Sequence, residues 1–344
     1  MTAWRIAAVN FDQMHMNQNA EWVDAHPDAE LVALCDENPS QSTGSMERAA
    51  TACGITDERM YADLEACLDA TNPDIVVMGP ANADHAAYTE RVAPYHVHVI
   101  VEKPFADTLA NADNMIETME KAGKELAVNW PSTWSPTTRT LKRLISNGTI
   151  GNVVEAEAYI GHAGPPRQSW FYEADMGGGS LLDFLGYAAV NTTWFREGEL
   201  PTTVTAETYS SPDTNVDTRS VSLCTYESGR FSTFQTTWER HEELQGHAPE
   251  PNGGDVIVGT EGTLSTRGVD GIRVQNPSHP TGTVIEPDVV EPPYENVIQY
   301  VLHCLETGES ITGPTAPMLS RNAQQILETA RLSAERGERI ELKN

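Results

Sequence analysis

Lysine is almost missing from this 344-residue chain. Only Lys103, Lys121, Lys124, Lys142 and Lys343 occur, and Lys plus Arg number 22 against 50 Asp and Glu. The formal charge of −28 excludes a basic face, and with it the phosphate-tracking surface a nucleic-acid binder needs. No block of like charges is long enough for an acidic tail, so the excess is spread over folded surface. Scarce lysine with abundant Asp, Glu and Thr resembles the proteins of a salt-loving organism, where salt screens such self-repulsion. Also lacking are a basic leader before the strand pattern at 4–9 and any apolar stretch able to span a bilayer. A cytoplasmic protein without membrane contact is therefore expected. The five cysteines (Cys35, Cys53, Cys67, Cys224, Cys304) form no CxxC pair, which points to reduced thiols and to no metal site.

What is present is an alternation of short apolar runs and helical patterns. Strand-like runs fall at 6–9, 31–35, 75–78, 96–101 and 126–128, with helical periodicity at 17–25, 45–52, 64–70, 86–92 and 109–122. That order predicts a doubly wound, Rossmann-type α/β domain over 1–128. After Asn129-Trp130-Pro131 the pattern changes. A helix at 136–146, strand character at 152–161 and a helix at 181–195 precede longer alternating strands at 204–209, 219–226, 230–238 and 256–259, and a helix at 319–336 follows. Residues 129–344 are expected to form an α+β domain on a large, mainly antiparallel open sheet with one wet face, serving substrate binding and oligomerisation.

The run His96–Val101 stops at Glu102-Lys103-Pro104, because proline fixes φ and removes a donor. Lys103 thus stands at the carboxyl end of a parallel strand, where open α/β sheets bind ligands. Asp36 ends the second strand, a little over twenty residues past the first strand–helix turn. A carboxylate there accepts ribose hydroxyls and repels a 2′-phosphate, favouring NAD over NADP; Glu37 follows it, with no arginine nearby. The turn itself lacks all three glycines of GxGxxG and reads Asn10-Phe11-Asp12-Gln13-Met14-His15. Asn10 tolerates a left-handed backbone, whereas Asp12 sets a negative side chain where backbone approaches a pyrophosphate. Phe11, Gln13 and Met14 are the turn's candidate cofactor contacts. Asp12 and His15, three apart, are too few for a metal site.

A second stretch, Gly177-Gly178-Gly179-Ser180-Leu181-Leu182-Asp183-Phe184-Leu185-Gly186-Tyr187, resembles the glycine-rich turn and D-x-G-x-H helix of the Gfo/Idh/MocA family. That family includes glucose–fructose oxidoreductases and inositol dehydrogenases. Together with Glu102-Lys103-Pro104 about eighty residues earlier, the resemblance spans nearly the whole chain. Asp74-Ile75-Val76-Val77 with Pro80, Asn82 and His85 looks like the family's strand and loop over the nicotinamide, and 296–342 looks like its closing helix and strand. Leu185 departs from the motif's glycine. Tyr187 stands where most members have His, as in the glucose–fructose oxidoreductase and aldose dehydrogenase branches.

The resemblance implies an NAD(P)-dependent oxidoreductase moving a hydride between a sugar or polyol and nicotinamide. Glu102 and Lys103 would lie beside the cofactor, and Lys103, Asp183 and Tyr187 would form the catalytic set. A phenol and an amine each titrate near 10 in water, so each needs its neighbours or burial to move protons at neutral pH. Asp183, one helical turn before Tyr187, orients Lys103 or accepts a substrate hydroxyl. Asn129, Trp130, Arg167 and Trp170 are substrate candidates, with His162, Tyr172, His241 and His247 as further pocket residues. A homo-oligomer, dimer or tetramer, is expected through the broad face of the second sheet. Two other readings stay open: a family member binding sugar without free-cofactor turnover, and a lyase or glycosidase using transient oxidation.

Overall fold

β1 (Trp4–Phe11), β2 (Ala29–Cys35), β3 (Met60–Tyr61), β4 (Ile75–Gly79), β5 (His98–Glu102) and β6 (Leu126–Asn129) pair in the order β3-β2-β1-β4-β5-β6, all parallel. The computed structural model describes residues 3–40, 42–227, 229–240 and 254–343. β4 is buried along its whole length, the consequence of helices on both faces of a parallel sheet. The connecting helices are α1 (Met16–Ala25), α2 (Met46–Cys53), α3 (Leu64–Thr71), α4 (His85–Val92) and α5 (Leu109–Ala122). Three of them start on a side chain accepting a backbone N–H: Ser45 from Arg48, Asp63 from Ala66 and Thr108 from Asn111. The order reverses between β1 and β4, which opens a crevice at their carboxyl ends. β5 starts later than the run at 96–101 suggests, because His96 turns left-handed (φ 54°) at the end of a 3-10 turn.

Among the described residues the second sheet has nine strands. β7 (Val153–Gly161), β8 (Thr203–Tyr209), β9 (Arg219–Thr225), β10 (Phe231–Thr237), β11 (Gly254–Gly259), β12 (Thr263–Ser265), β13 (Ile272–Asn276), β14 (His279–Ile285) and β15 (Ile340–Glu341) take the order β14-β13-β12-β11-β7-β10-β9-β8-β15. β7 and β10 run parallel and the other described pairs antiparallel. α6 (Pro136–Ser146) and α7 (Gly186–Phe195) cover one end of it. Leu141, Leu144, Ile145 and Phe195 pack with Ile150, Val153, Ile257, Leu264, Ile272 and Val274. β12, β13 and β14 are too short or too polar to stand out in the sequence. The chain closes on a helical pair, α8 (Val297–Thr307) and α9 (Pro317–Arg336), the first of which the strand-and-helix pattern does not separate.

One strand of this sheet, β9, departs from the wet face the alternation suggests. On β9, Ser220, Ser222 and Cys224 are buried while Val221 and Leu223 are 46% and 40% exposed. By compactness the chain divides into two interleaved units. The first compact unit holds 1–130, 168–177 and 292–321; the second holds 131–167, 178–291 and 322–344. Among the described residues no helix is long and apolar enough to cross a membrane.

Candidate functional site

In the first unit, Lys103 lies at the carboxyl end of β5 and is 3% exposed. Glu102 beside it is fully buried. Its carboxylate accepts from Asn19 Nδ2 (2.7 Å) and Asn129 Nδ2 (2.7 Å) and meets His15 Nδ1 at 3.1 Å. Burial alone would raise the Glu102 carboxyl, but His15 and the two amides hold it below its ordinary value. Gln13 donates to Asn82 Oδ1 (3.1 Å) and to the Lys103 carbonyl (3.3 Å), tying the β1–α1 turn to the strand end. Asn82 in turn donates to the Gly177 carbonyl at 2.7 Å. His85 is buried between the carbonyls of Phe105 and Pro80, both at 3.1 Å, and burial pushes its ring toward the neutral form. These contacts bring Gln13, Asn82, Glu102 and Lys103 into one network. His85 is held by backbone beside it.

The β1–α1 turn keeps its shape without glycine. Asn10 takes φ 53°, the left-handed conformation the first glycine would supply, and its Oδ1 accepts Glu37 N–H. Asp12 and His15 turn to different partners: His15 reaches Glu102, while Asp12 is buried against Ser42 and Ala81. Burial, with Asp36 adding to it, pushes the Asp12 carboxyl up to about 7. Phe11 is buried and Met14 is 58% exposed. The strand ends suit a dinucleotide, but the turn does not, because Asp12 fills the place where a pyrophosphate meets backbone.

The ribose corner is also held closed. Asp36 is buried, its carboxylate taken by Asn38 N–H (3.0 Å) and Ser42 O–H (2.9 Å), and burial raises it. The expectation of no arginine near Glu37 is overturned. Arg91 of α4, distant in sequence, grips Glu37 through two nitrogens (2.7 and 3.0 Å) and Glu65 through two more contacts (2.8 and 2.7 Å). That guanidinium, with Tyr88 O–H, holds the Glu37 carboxyl down to about 2.

In the second unit, Asp183 sits in a π-helical turn, Leu181–Leu185, that runs into α7 with Tyr187 in its first turn. Asp183 is buried and accepts Trp238 Nε1–H at 3.0 Å; Tyr187 is half-buried. The start of this helix rests on Asp217, which local sequence does not announce. Its Oδ2 accepts Ser180 O–H and Leu181 N–H, each at 2.8 Å, and burial pushes the carboxyl up to about 6. Gly179 (φ 111°) has to be glycine here, since a Cβ would fall 2.4 Å from Asp217 Oδ1. π-Turns inside helices recur at functional sites, and a D-x-x-x-Y spacing alone does not reveal one.

The substrate candidates divide. Trp130 is buried, with its N–H on Ser320 Oγ (2.9 Å), and Asn129 belongs to the Glu102 network. Trp170 is buried, stacks on Phe171 (4.0 Å between centroids) and donates to the Asp12 carbonyl at 3.0 Å. Arg167 and His162 are exposed, the latter edge-on to Phe184 at 5.0 Å; Tyr172 is half-buried. His241 and His247 lie outside the described residues.

Residues 8–130 match the family model described as oxidoreductase family, NAD-binding Rossmann fold, and residues 138–265 match the GFO/IDH/MocA C-terminal domain. The chain is similar to D-glucoside 3-dehydrogenase of Escherichia coli, at 30% identity over 52% of this chain and 50% of the relative. It is also similar to D-apiose dehydrogenase of Paraburkholderia graminis, at 26% identity over 92% of this chain and 84% of the relative. Among solved structures, an oxidoreductase from Agrobacterium radiobacter in complex with NAD+, L-tartaric acid and magnesium shares the fold, with a TM-score of 0.79 at 21% identity over 99% of each chain. With both family models matched in order, one on each sheet, the chain belongs to the Gfo/Idh/MocA family of oxidoreductases.

Proposed function

We propose that this oxidoreductase uses NAD, in preference to NADP, to move a hydride to or from a carbon of a sugar or polyol. The observation that carries the reading is Lys103, one of only five lysines, buried at the carboxyl end of β5 beside a fully buried Glu102. Lys103 Nζ and Tyr187 Oη take and return the hydroxyl proton, and Asp183, pinned by the Trp238 indole, accepts a substrate hydroxyl. Nicotinamide, when bound, supplies the hydride acceptor. The sugar class rests on the names of the similar dehydrogenases, one acting on glucosides and one on apiose. Asp36 supports NAD, since a carboxylate at the end of β2 repels a 2′-phosphate.

NADH formation from a panel of aldoses, glucosides and polyols tests this. Lys103→Ala and Tyr187→Phe should each lower kcat by about a hundredfold or more, the scale of lost acid–base catalysis. Wild-type turnover in Lys103→Ala would sink the mechanism. The filled β1–α1 turn favours a second reading, a protein that binds sugar without turning over free cofactor. Calorimetric sugar binding with no NADH formed is its signature, and product without net NADH marks the lyase or glycosidase form.

The chain's assembly belongs to the same proposal. Tyr209, Val221, Leu223 and Phe231 leave apolar side chains exposed on adjacent strands β8, β9 and β10, and this face joins copies into a dimer or tetramer. Leu223→Lys should then lower the mass measured by light scattering, and an unchanged mass would exclude the face. The acidic surface suits a salt-rich cytoplasm.

A further inference from the structure

Asp12 stands at the second glycine position of the β1–α1 turn, where backbone has to approach a pyrophosphate. Its side chain is fully buried, and one carboxylate oxygen accepts Ala81 N–H (3.0 Å) while the other lies 3.3 Å from Ser42 Oγ, whose single proton it shares with the nearer Asp36 carboxylate (2.9 Å). A carboxylate accepting from donors on two neighbouring loops makes bonds of the kind a phosphate oxygen makes. The chain also seals the turn from outside. Thr43 gives both its N–H (3.3 Å) and its O–H (2.6 Å) to the Asp12 carbonyl, and Gly44 N–H bonds the Phe11 carbonyl at 2.8 Å. Asn17 fastens the end of this strap through both sides of its amide, to Ser45 O (2.7 Å) and Ser45 N (3.1 Å). Glycine is needed at 44, because a Cβ there would fall 2.8 Å from Phe11 O and 2.9 Å from Gln13 O.

Resting on the oxidoreductase reading above, we infer that the Asp12 carboxylate is an internal stand-in for the dinucleotide's pyrophosphate, so that NAD binds only by displacing it with the strap at 42–44. Asp12 is therefore the residue that sets dinucleotide affinity. It occupies donors that an anionic ligand would use, and it places a negative charge, with Asp36 and Asp84 close by, where that ligand belongs. Neither effect depends on the sugar.

Calorimetric titration of NAD into wild-type protein, Asp12→Asn and Asp12→Gly, at about pH 8 in molar KCl, reads this directly. Removing a like charge next to a phosphate should tighten NAD at least about tenfold in the Asn variant, and further in the Gly variant. Inorganic pyrophosphate should follow the same order. Gly44→Ala pushes the strap off the Phe11 and Gln13 carbonyls with Asp12 intact and should also tighten NAD, so the inference stays testable if Asp12 variants fail to fold. Equal or weaker NAD binding by folded variants overturns it, while NADH formed by the wild type leaves the oxidoreductase reading standing. No NAD binding by wild type or variants overturns both.

Discussion

Asp217→Ala tests how the helix carrying Asp183 and Tyr187 is held. The substitution strips the acceptor from Ser180 O–H and Leu181 N–H, two donors at the start of the π-turn. Each buried donor left without a partner costs about 1–3 kcal/mol, so about 3 kcal/mol in all is expected near pH 5. That cost should shrink with rising pH. A carboxyl raised to about 6 from its ordinary value lends stability that is whole at acid pH and is lost as pH rises through 6. Between about pH 5 and pH 8 the wild type gives up about 1.5 kcal/mol through this group, a loss the alanine variant does not suffer. Asp217→Asn, which keeps the accepting oxygen, should stay within about 1 kcal/mol of wild type at pH 5. Urea unfolding at both pH values reads stability. Turnover reads the turn's position, with kcat falling in Asp217→Ala while NAD affinity holds. A stability change under about 0.5 kcal/mol at both pH values would refute the reasoning, since surface-like substitutions do no more.

Asp12 gives a second pH signature in the first unit. With its carboxyl raised to about 7, its contribution is intact at acid pH and is lost as pH climbs toward 7, up to about 4 kcal/mol. Wild-type and Asp12→Asn denaturation curves should therefore converge and cross with rising pH, and parallel curves would count against the buried acid. Net charge gives a third. At −28, self-repulsion should make Tm climb as KCl rises from about 0.1 to about 2 M, and a flat Tm would show that the charge is already balanced locally.

The first sheet was legible because its strands are short apolar runs between helical stretches, β-branched throughout the centre of β4 and β5, so pattern and burial agree. Lys103 and Asp36 were legible for the same reason: each ends a strand, and strand ends are fixed by local sequence. Asp217 and Arg91 were not. Asp217 lies thirty-seven residues beyond the serine it caps and Arg91 fifty-four beyond Glu37, and no periodicity encodes a partner chosen by the fold. The strap at 42–44 reads as an ordinary polar loop until Gly44 is seen against Phe11 O. On β9 the pattern misled outright: hydroxyls face inward and aliphatic side chains outward, which alternation alone cannot orient.

The interleaving of the two units bears on how the chain is made. The first 130 residues contain the whole parallel sheet, yet Trp130 needs Ser320, Asp113 needs Arg321, and the Asp12 carbonyl needs Trp170. During synthesis this unit therefore emerges nearly entire and waits, its late partners supplied only once residues 170, 320 and 321 have been made. A gene cut after residue 130 would release a sheet with the Trp130 indole stripped of its Ser320 bond and the Asp12 carbonyl left with Thr43 alone. Supplying residues 292–321 in trans as a separate peptide would return two of the three missing partners.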